Sequence, residues 1–142
     1  MNMHFGRAVI AGLIGILLMT MVGLFAEPLM GLPPMNPTEM LAGTMGGSLM
    51  LGWAGHLMVG VILALGYAFV AWALPGSGVA RGAIYSIAPF LMAQVVVMPM
   101  MGMPLFSGSA AMAMGSLVGH MVYGAAVGGI YGEPTAVRVA TA

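Results

Sequence analysis

Four long apolar stretches restrict what this chain can fold into more than any other feature of its sequence. Each is about as long as a helix that crosses the ~30 Å hydrocarbon core of a bilayer, and backbone in lipid must satisfy its own hydrogen bonds. We place the helices at about residues 5–26, 48–74, 81–101 and 110–131. The predicted fold class is all-α, a polytopic membrane protein with four transmembrane helices in a single domain over residues 1–142.

The composition excludes several classes of protein. Charged residues make up 4% of the chain and apolar residues 61%, whereas a soluble domain has about 25% charged residues. A formal net charge of zero leaves no basic surface for nucleic acid. Because cysteine is absent, disulfides, thiolate metal sites and cysteine nucleophiles are excluded as well.

The first connection is the longest, and it is predicted to face the periplasm. We expect helix one to end at Glu27 and Pro28, and a loop to follow over residues 27–47. Within that loop, Asn36 followed by Pro37 and Glu39 is typical of a helix start, which predicts a short interfacial helix over about 37–45. Residues 133–142 form a polar tail on the cytoplasmic side.

Charge placement predicts the orientation of the four spans. Arg7, Arg81 and Arg138 fall on one side of the predicted membrane, whereas Glu27 and Glu39 fall on the other. Positively charged residues favour the cytoplasmic side. Both termini are therefore predicted to be cytoplasmic.

The second and fourth stretches resemble each other. Residues 52–67 read GWAGHLMVGVILALGY and residues 116–131 read SLVGHMVYGAAVGGIY, so that His56 aligns with His120. This predicts a duplicated two-helix unit, with one copy over about 5–75 and the other over about 81–132. Two-span repeats are parallel and related by an axis along the membrane normal.

Small residues predict which way the two histidines point. Small side chains recur every four residues on the faces that carry His56 and His120, and such faces let helices approach closely. The predicted helix-packing residues are Gly52, Gly60, Ser116, Gly124 and Gly128. Thr20 and Gln94 each stand thirteen residues after an arginine, at the depth of the histidines. They are the predicted hydrogen-bond partners of His56 and His120.

Methionine is concentrated in the outer half of the chain. Of the 18 methionines, the possible thioether ligands are Met58, Met121, Met98, Met100, Met101 and Met103. Thioether with imidazole suits Cu(I), and two axial histidines suit a b-type haem. Methionine is also an adaptable packing and contact residue, and the two histidines would serve equally as hydrogen-bonding groups between helices.

An enzyme is not expected. No serine, histidine and acid set occurs within the spans, because every acidic residue is predicted to lie at or beyond a helix end. The same prediction leaves no intramembrane carboxylate for a proton relay or a cation site. Nucleotide-binding and zinc-protease motifs are absent from the sequence.

The paired segments G-H-[LM]-[MV]-x-G and G-H-M-V-x-G, with a Met- and Pro-rich outer loop, resemble small uncharacterised bacterial inner-membrane proteins of four spans. The resemblance covers about residues 5–132. It implies a topology and a location in the bacterial inner membrane, and it assigns no functional residues.

Three hypotheses for the function follow. The first is a non-enzymatic membrane protein whose His56 and His120 bind copper or haem b in its outer half. The second is a small accessory subunit of a larger membrane complex, in which the histidines only join helices. The third is a channel or transporter for small solutes. Besides the lipid bilayer, a homo-oligomer or a larger membrane complex is expected as partner.

Overall fold

The computed structural model describes residues 4–132 and is all-helical over that range. Its helices are α1 (Phe5–Leu29), α2 (Pro37–Thr44), α3 (Leu49–Ala73), α4 (Gly78–Met100) and α5 (Ala110–Tyr131). Helices α1, α3, α4 and α5 are long and apolar enough to cross a membrane. The predicted all-α fold with four membrane spans is therefore confirmed. The predicted tail 133–142, with Arg138, lies outside the described residues.

Helix α1 lies at the centre of the bundle. It packs against α3 on one side and α5 on the other, and α4 packs along α5. Small residues on α1 permit both contacts, because Ala8, Ala11, Gly12 and Gly15 are all buried. A Cβ atom at Gly12 would lie 2.6 Å from the carbonyl oxygen of Gly60 on α3. The helices therefore approach closely enough to bring backbone against backbone.

Three of the predicted packing residues, Gly60, Gly124 and Gly128, lie at contacts between the long helices. Gly124 and Gly128 of α5 face Gly82 and Gly78 of α4 so closely that a Cβ atom at either would overlap the facing backbone. Gly60 packs against Ile16 in the same manner, with 2.6 Å between the two Cβ positions. In the absence of a hydrophobic driving force within lipid, such close van der Waals contact is what holds transmembrane helices together.

Helix α1 is longer than predicted. It continues through Pro28 to Leu29, three residues beyond the predicted end at Ala26, by widening into a π-helical turn over Val22–Ala26. In that turn Pro28 has no N–H to donate to the carbonyl of Gly23, and the N–H of Met35 takes its place at 3.1 Å. The returning chain thus supplies the hydrogen bond that proline removes.

This extension corrects the prediction that every acidic residue lies at or beyond a helix end. Glu27 lies inside the α1 span and is 1% exposed, so a carboxyl group is buried within the bundle. The first part of the predicted loop 27–47 is accordingly helix. The sequence alone suggested a helix end because proline usually terminates helices.

Helix α4 is irregular near each of its two prolines. Regular α-helical geometry is interrupted at Ser86, three residues before Pro89, and a π-helical turn over Ala93–Val97 precedes Pro99. A proline cannot bond to the preceding turn and its ring crowds the carbonyl there. The two interruptions of regular helical geometry therefore lie next to the two prolines.

Helix α2 begins as predicted. The side chain of Asn36 accepts hydrogen bonds from the N–H of Thr38 at 3.2 Å and from its hydroxyl at 2.7 Å, which caps the helix. Helix α2 packs along the start of α3, where Thr38 and Ala42 contact Gly52. It thereby covers the end of the bundle remote from Arg7 and Arg81, next to the two histidines.

Tyrosines join α3 to the rest of the bundle. Tyr85 of α4 donates to the carbonyl of Leu63 at 2.8 Å, and Tyr123 of α5 donates to the carbonyl of Gly60 at 2.7 Å. The ring of Tyr67 packs edge-on against those of Tyr85 and Tyr131, at 5.4 and 5.7 Å between centroids. The half of the bundle that carries Arg7 and Arg81 is therefore filled with aromatic side chains.

Candidate functional site

A cleft separates α3 from α4 in the half of the bundle nearest α2. The two helices come together only near the turn that connects them, and further out they enclose a cavity of about 200 Å³. Its polar lining residues are His56, His120, Ser116 and Tyr123, and the remainder are apolar. The cavity is open at its side, where Val59 and Met92 line it and are 40% and 58% exposed. Both predicted site histidines thus line one cavity.

His56 is held by a direct hydrogen bond to the residue predicted as its partner. The hydroxyl of Thr20 lies 2.9 Å from Nε2 of His56 and donates its own hydrogen to the carbonyl of Ile16 at 2.8 Å. Because the hydroxyl has one hydrogen, Nε2 of His56 must be the donor in this pair. Nδ1 of the neutral ring then carries a lone pair, and the described residues offer it no hydrogen bond.

His120 is held by its own helix. Its Nδ1 lies 2.8 Å from the carbonyl oxygen of Ser116, one turn earlier on α5. A carbonyl oxygen can only accept, so Nδ1 carries the hydrogen and Nε2 carries the lone pair. The ring of Phe90 packs edge-on against the imidazole at 5.6 Å. As in His56, one nitrogen is fixed as donor and the other has no partner within the described chain.

Gln94 reaches His120 only through Ser116. The Gln94 amide donates to Oγ of Ser116 at 2.9 Å and accepts from Oγ of Ser107 at 3.0 Å. Oγ of Ser116 lies 3.5 Å from Nδ1 of His120. Ser107 and its neighbour Phe106 both adopt positive φ angles, of 57° and 51°, which non-glycine residues rarely do. The bond to Gln94 helps to hold this turn in place.

One helical turn separates Gln94 from the position that Thr20 occupies. Gly12 meets the carbonyl of Gly60, and Gly82 meets that of Gly124, so these contacts mark matching depths beside the two histidines. Thr20 is eight residues beyond Gly12, and the residue eight beyond Gly82 is Phe90. The prediction counted thirteen residues from each arginine and so placed Gln94 at the depth of Thr20. The glycine contacts show that Phe90 lies at that depth instead, and that Gln94 lies one turn beyond it.

The predicted thioether candidates separate into two groups. Met98 is 7% exposed and lines the cavity together with Met101. Met58, Met121 and Met100 are 59%, 43% and 81% exposed and do not line it. Met103 is half-buried and also lies outside the lining. Met58 and Met121 were selected because they are close to a histidine in sequence. Residues one or two positions apart on a helix point in different directions, so these two methionines do not face the cavity.

Four further methionines line the cavity that sequence reasoning did not select: Met19, Met35, Met40 and Met92. Met19 directly precedes Thr20 and Met92 lies six residues before Met98, so in a regular helix neither shares a face with the selected residue. Met35 and Met40 belong to the first connection and α2. No periodic signal indicates their position, because it depends on how α2 folds back.

Within residues 4–132, no group of three or more His, Cys, Asp or Glu side chains is arranged to hold a metal ion. The described side chains that line the cavity and could coordinate an ion are the two imidazoles, methionine thioethers and the hydroxyls of Ser116 and Tyr123. Comparisons with curated proteins and with solved structures find no match to this chain. A family model does match residues 3–139, and the chain belongs to that family, the family of unknown function DUF6789.

Proposed function

We propose that this membrane protein binds one Cu(I) ion in the cavity between α3 and α4, and that it handles the metal without catalysing a reaction. The proposed ligands are Nδ1 of His56, Nε2 of His120 and the thioethers of Met98 and Met101. His56 and His120 are also the two histidines that the sequence predicted as ligands.

The hydrogen bonds of the two histidine rings are the observation that carries this proposal, because they fix which nitrogen of each ring keeps a lone pair. Each ring donates one N–H to a fixed acceptor, the hydroxyl of Thr20 or the carbonyl of Ser116. Histidine ligands in metal sites are held in the same way, by a hydrogen bond from the nitrogen that does not bind the metal. In both rings the other nitrogen keeps a lone pair to which residues 4–132 offer no hydrogen bond, and both rings line one cavity.

The lining of the cavity favours Cu(I) over other ions. Hard cations such as Mg²⁺ and Ca²⁺ need several oxygen ligands, and structural zinc sites usually take four side chains of Cys, His or Asp/Glu type. The described residues offer no group of three such side chains. Imidazole with thioether is a ligand set that suits Cu(I).

The size of the cavity favours an ion over haem. Its volume is about 200 Å³, below the ~300–1,000 Å³ of typical small-molecule sites. A porphyrin would also need space beside both imidazoles, where Phe90 already packs against His120. Haem b therefore requires a rearrangement of α4 that a single ion does not.

The charge placement suggests from which side the metal arrives. The cavity lies near Glu27 and α2, at the opposite end of the bundle from Arg7 and Arg81. With the arginines on the cytoplasmic side of a bacterial inner membrane, the cavity would lie in the periplasmic half. The protein would then take up Cu(I) from the periplasm, in agreement with its methionine-rich outer loop.

The experiment is a metal titration of the protein purified in mild detergent. Ag(I) serves as a probe for Cu(I) because it prefers the same ligands and is not oxidised by air. We expect one ion per chain and at least a hundredfold weaker binding by His56→Ala and His120→Ala. Met98→Leu is expected to weaken binding, whereas Met58→Leu is the matched control because Met58 is 59% exposed.

Two results would overturn the proposal. If the folded wild-type protein binds no Ag(I) or Cu(I), the histidines are packing groups, and the hypothesis of a small accessory subunit takes its place. If both histidine variants bind as tightly as the wild type, the ion lies elsewhere. A Soret absorption band in protein purified from its native membrane would show instead that the cavity holds haem.

A further inference from the structure

Glu27 is buried next to the histidine cavity, and its carboxyl group has no partner among residues 4–132. Its side chain is 1% exposed, and the described residues provide no hydrogen bond to Oε2. It is pressed against α5, where a Cβ atom at Gly115 would lie 3.0 Å from Oε1. Inside a membrane an ionised carboxylate without a partner is expensive. The carboxyl group must therefore either hold a proton or have a cation nearby.

A small cavity of about 10 Å³ lies beside this carboxyl group. It is about large enough for one water molecule. Ser116 lines both this small cavity and the histidine cavity. Met19, Met35 and Pro37 line both cavities too. The small cavity beside Glu27 and the proposed metal site therefore share a wall, which is formed by Met19, Met35, Pro37 and Ser116.

Few titratable groups surround Glu27. On α5, His120 and Tyr123 line the histidine cavity together with Ser116, which also lines the small cavity. On α3, His56 lines the histidine cavity. On α2, Glu39 is exposed. Among the described residues, none of the side chains that line the small cavity is titratable except Glu27 itself.

We infer that Glu27 supplies the negative charge that balances the metal ion, so that binding of a monovalent cation at the histidines releases one proton from Glu27. This inference rests on the proposed function and adds that the release of one proton accompanies ion binding. The ion enters with one positive charge, and the O–H bond of the carboxylic acid breaks. The proton leaves through the small cavity to the aqueous phase, and the net charge inside the bundle does not change.

The inference explains why a carboxyl group is buried at this place. Neutral imidazoles and thioethers cannot compensate the charge of Cu(I), and a bare positive charge in lipid is unfavourable. The carboxylate formed by proton release compensates that charge across the shared wall. In the absence of metal, the protonated acid is neutral and needs no counter-ion.

The test counts protons during Ag(I) titration of the full-length protein at a pH of about 8. Free imidazoles, with a pKa of about 6.5, are neutral at this pH, so they release no protons when they bind metal. Calorimetry in two weakly coordinating buffers with different protonation enthalpies gives the number of protons released. We expect about one proton per ion for the wild type and none for Glu27→Gln. Glu39→Gln is the matched control, since the same chemical change is made at an exposed site.

A second measurement follows the protonation state of Glu27 directly, first without metal and then with Ag(I). The infrared spectrum of the metal-free protein should contain the C=O band of a protonated carboxylic acid. That band should be absent from Glu27→Gln and retained in Glu39→Gln, and Ag(I) should remove it from the wild type. Circular dichroism of the three proteins shows whether each is folded.

The results separate this inference from the metal site itself. Ag(I) binding without proton release, or with equal release by Glu27→Gln, would overturn the linkage and leave the metal site standing. A wild-type protein that binds no ion would overturn the metal site and the linkage with it. An acid band that persists when the ion is bound would likewise refute proton release from Glu27.

Discussion

Replacement of Thr20 by valine tests whether the orientation of His56 matters for metal binding. Valine keeps the shape of threonine but removes the hydroxyl that accepts from Nε2–H of His56, which lies 2.9 Å away in a buried position. The ring can keep its tautomer and leave that N–H unsatisfied. Alternatively, it can move the hydrogen to Nδ1 and lose the lone pair proposed to bind the ion. Either outcome weakens the site.

The expected magnitudes follow from this geometry. A buried donor without a partner costs about 1–3 kcal/mol of folding free energy. Loss of a hydrogen bond that orients a ligand typically lowers metal affinity by about 10–100-fold. Thr20→Val should therefore reduce both stability and Ag(I) affinity by these amounts.

Ser116→Ala is the control that separates the two effects. It leaves the Gln94 amide without its acceptor on Ser116, so a similar loss of stability is expected. The hydrogen bond from Nδ1 of His120 goes to the backbone carbonyl of Ser116, which alanine retains. Ag(I) affinity should consequently change little in this variant.

Both variants are measured by thermal unfolding in detergent and by Ag(I) titration. The reasoning requires that they lose comparable stability and that only Thr20→Val loses affinity. If Ser116→Ala weakens binding as strongly as Thr20→Val, affinity follows general destabilisation rather than the tautomer. If Thr20→Val binds like the wild type, the hydrogen bond does not orient a ligand.

Three further predictions concern the bundle, and unfolding in detergent measures each. Gly82→Ala should destabilise by about 1–3 kcal/mol, because its Cβ atom would overlap the backbone at Gly124; Gly6→Ala, with no atom within 4 Å of the new Cβ, should not destabilise. Tyr85→Phe should cost about 0.5–1.5 kcal/mol through loss of its bond to Leu63, and an unchanged stability would show that this bond contributes nothing. Asn36→Ala should cost about 0.5–2 kcal/mol by uncapping α2, unless water replaces the cap.

The spans and the start of α2 could be predicted because they depend on local sequence. Apolar length alone requires a helix in lipid, and the observed spans begin and end within about three residues of the predicted ones. The Asn36–Pro37 pair predicts a cap through interactions inside four residues. The same applies to the glycine faces of α3 and α5, whose four-residue spacing is a property of one helix.

Glu27 and Gln94 could not be placed from the sequence because their positions depend on contacts between distant segments. Helix α1 passes Pro28 only because Met35 returns to bond Gly23. Gln94 lies one turn further out than Thr20 because Gly82 rather than Arg81 sets the depth of α4. Each case depends on which two backbone segments contact each other, and the spacing of residues within one segment does not predict that contact.

The asymmetry of the bundle explains why the two histidines share an open cavity. Helix α1 carries small residues at its contacts with both neighbours, including Gly15 against Tyr123 of α5. Helix α4 carries small residues only on the face that packs against α5. On the face towards α3 it carries Tyr85, whose hydroxyl would lie 2.8 Å from a Cβ atom at Gly66. Tyr85 therefore holds α3 and α4 apart at one level, and beyond it the described part of α4 does not pack along α3. A bundle with small residues on every face would have closed over His56 and His120, and their free nitrogens would have had no space for a ligand.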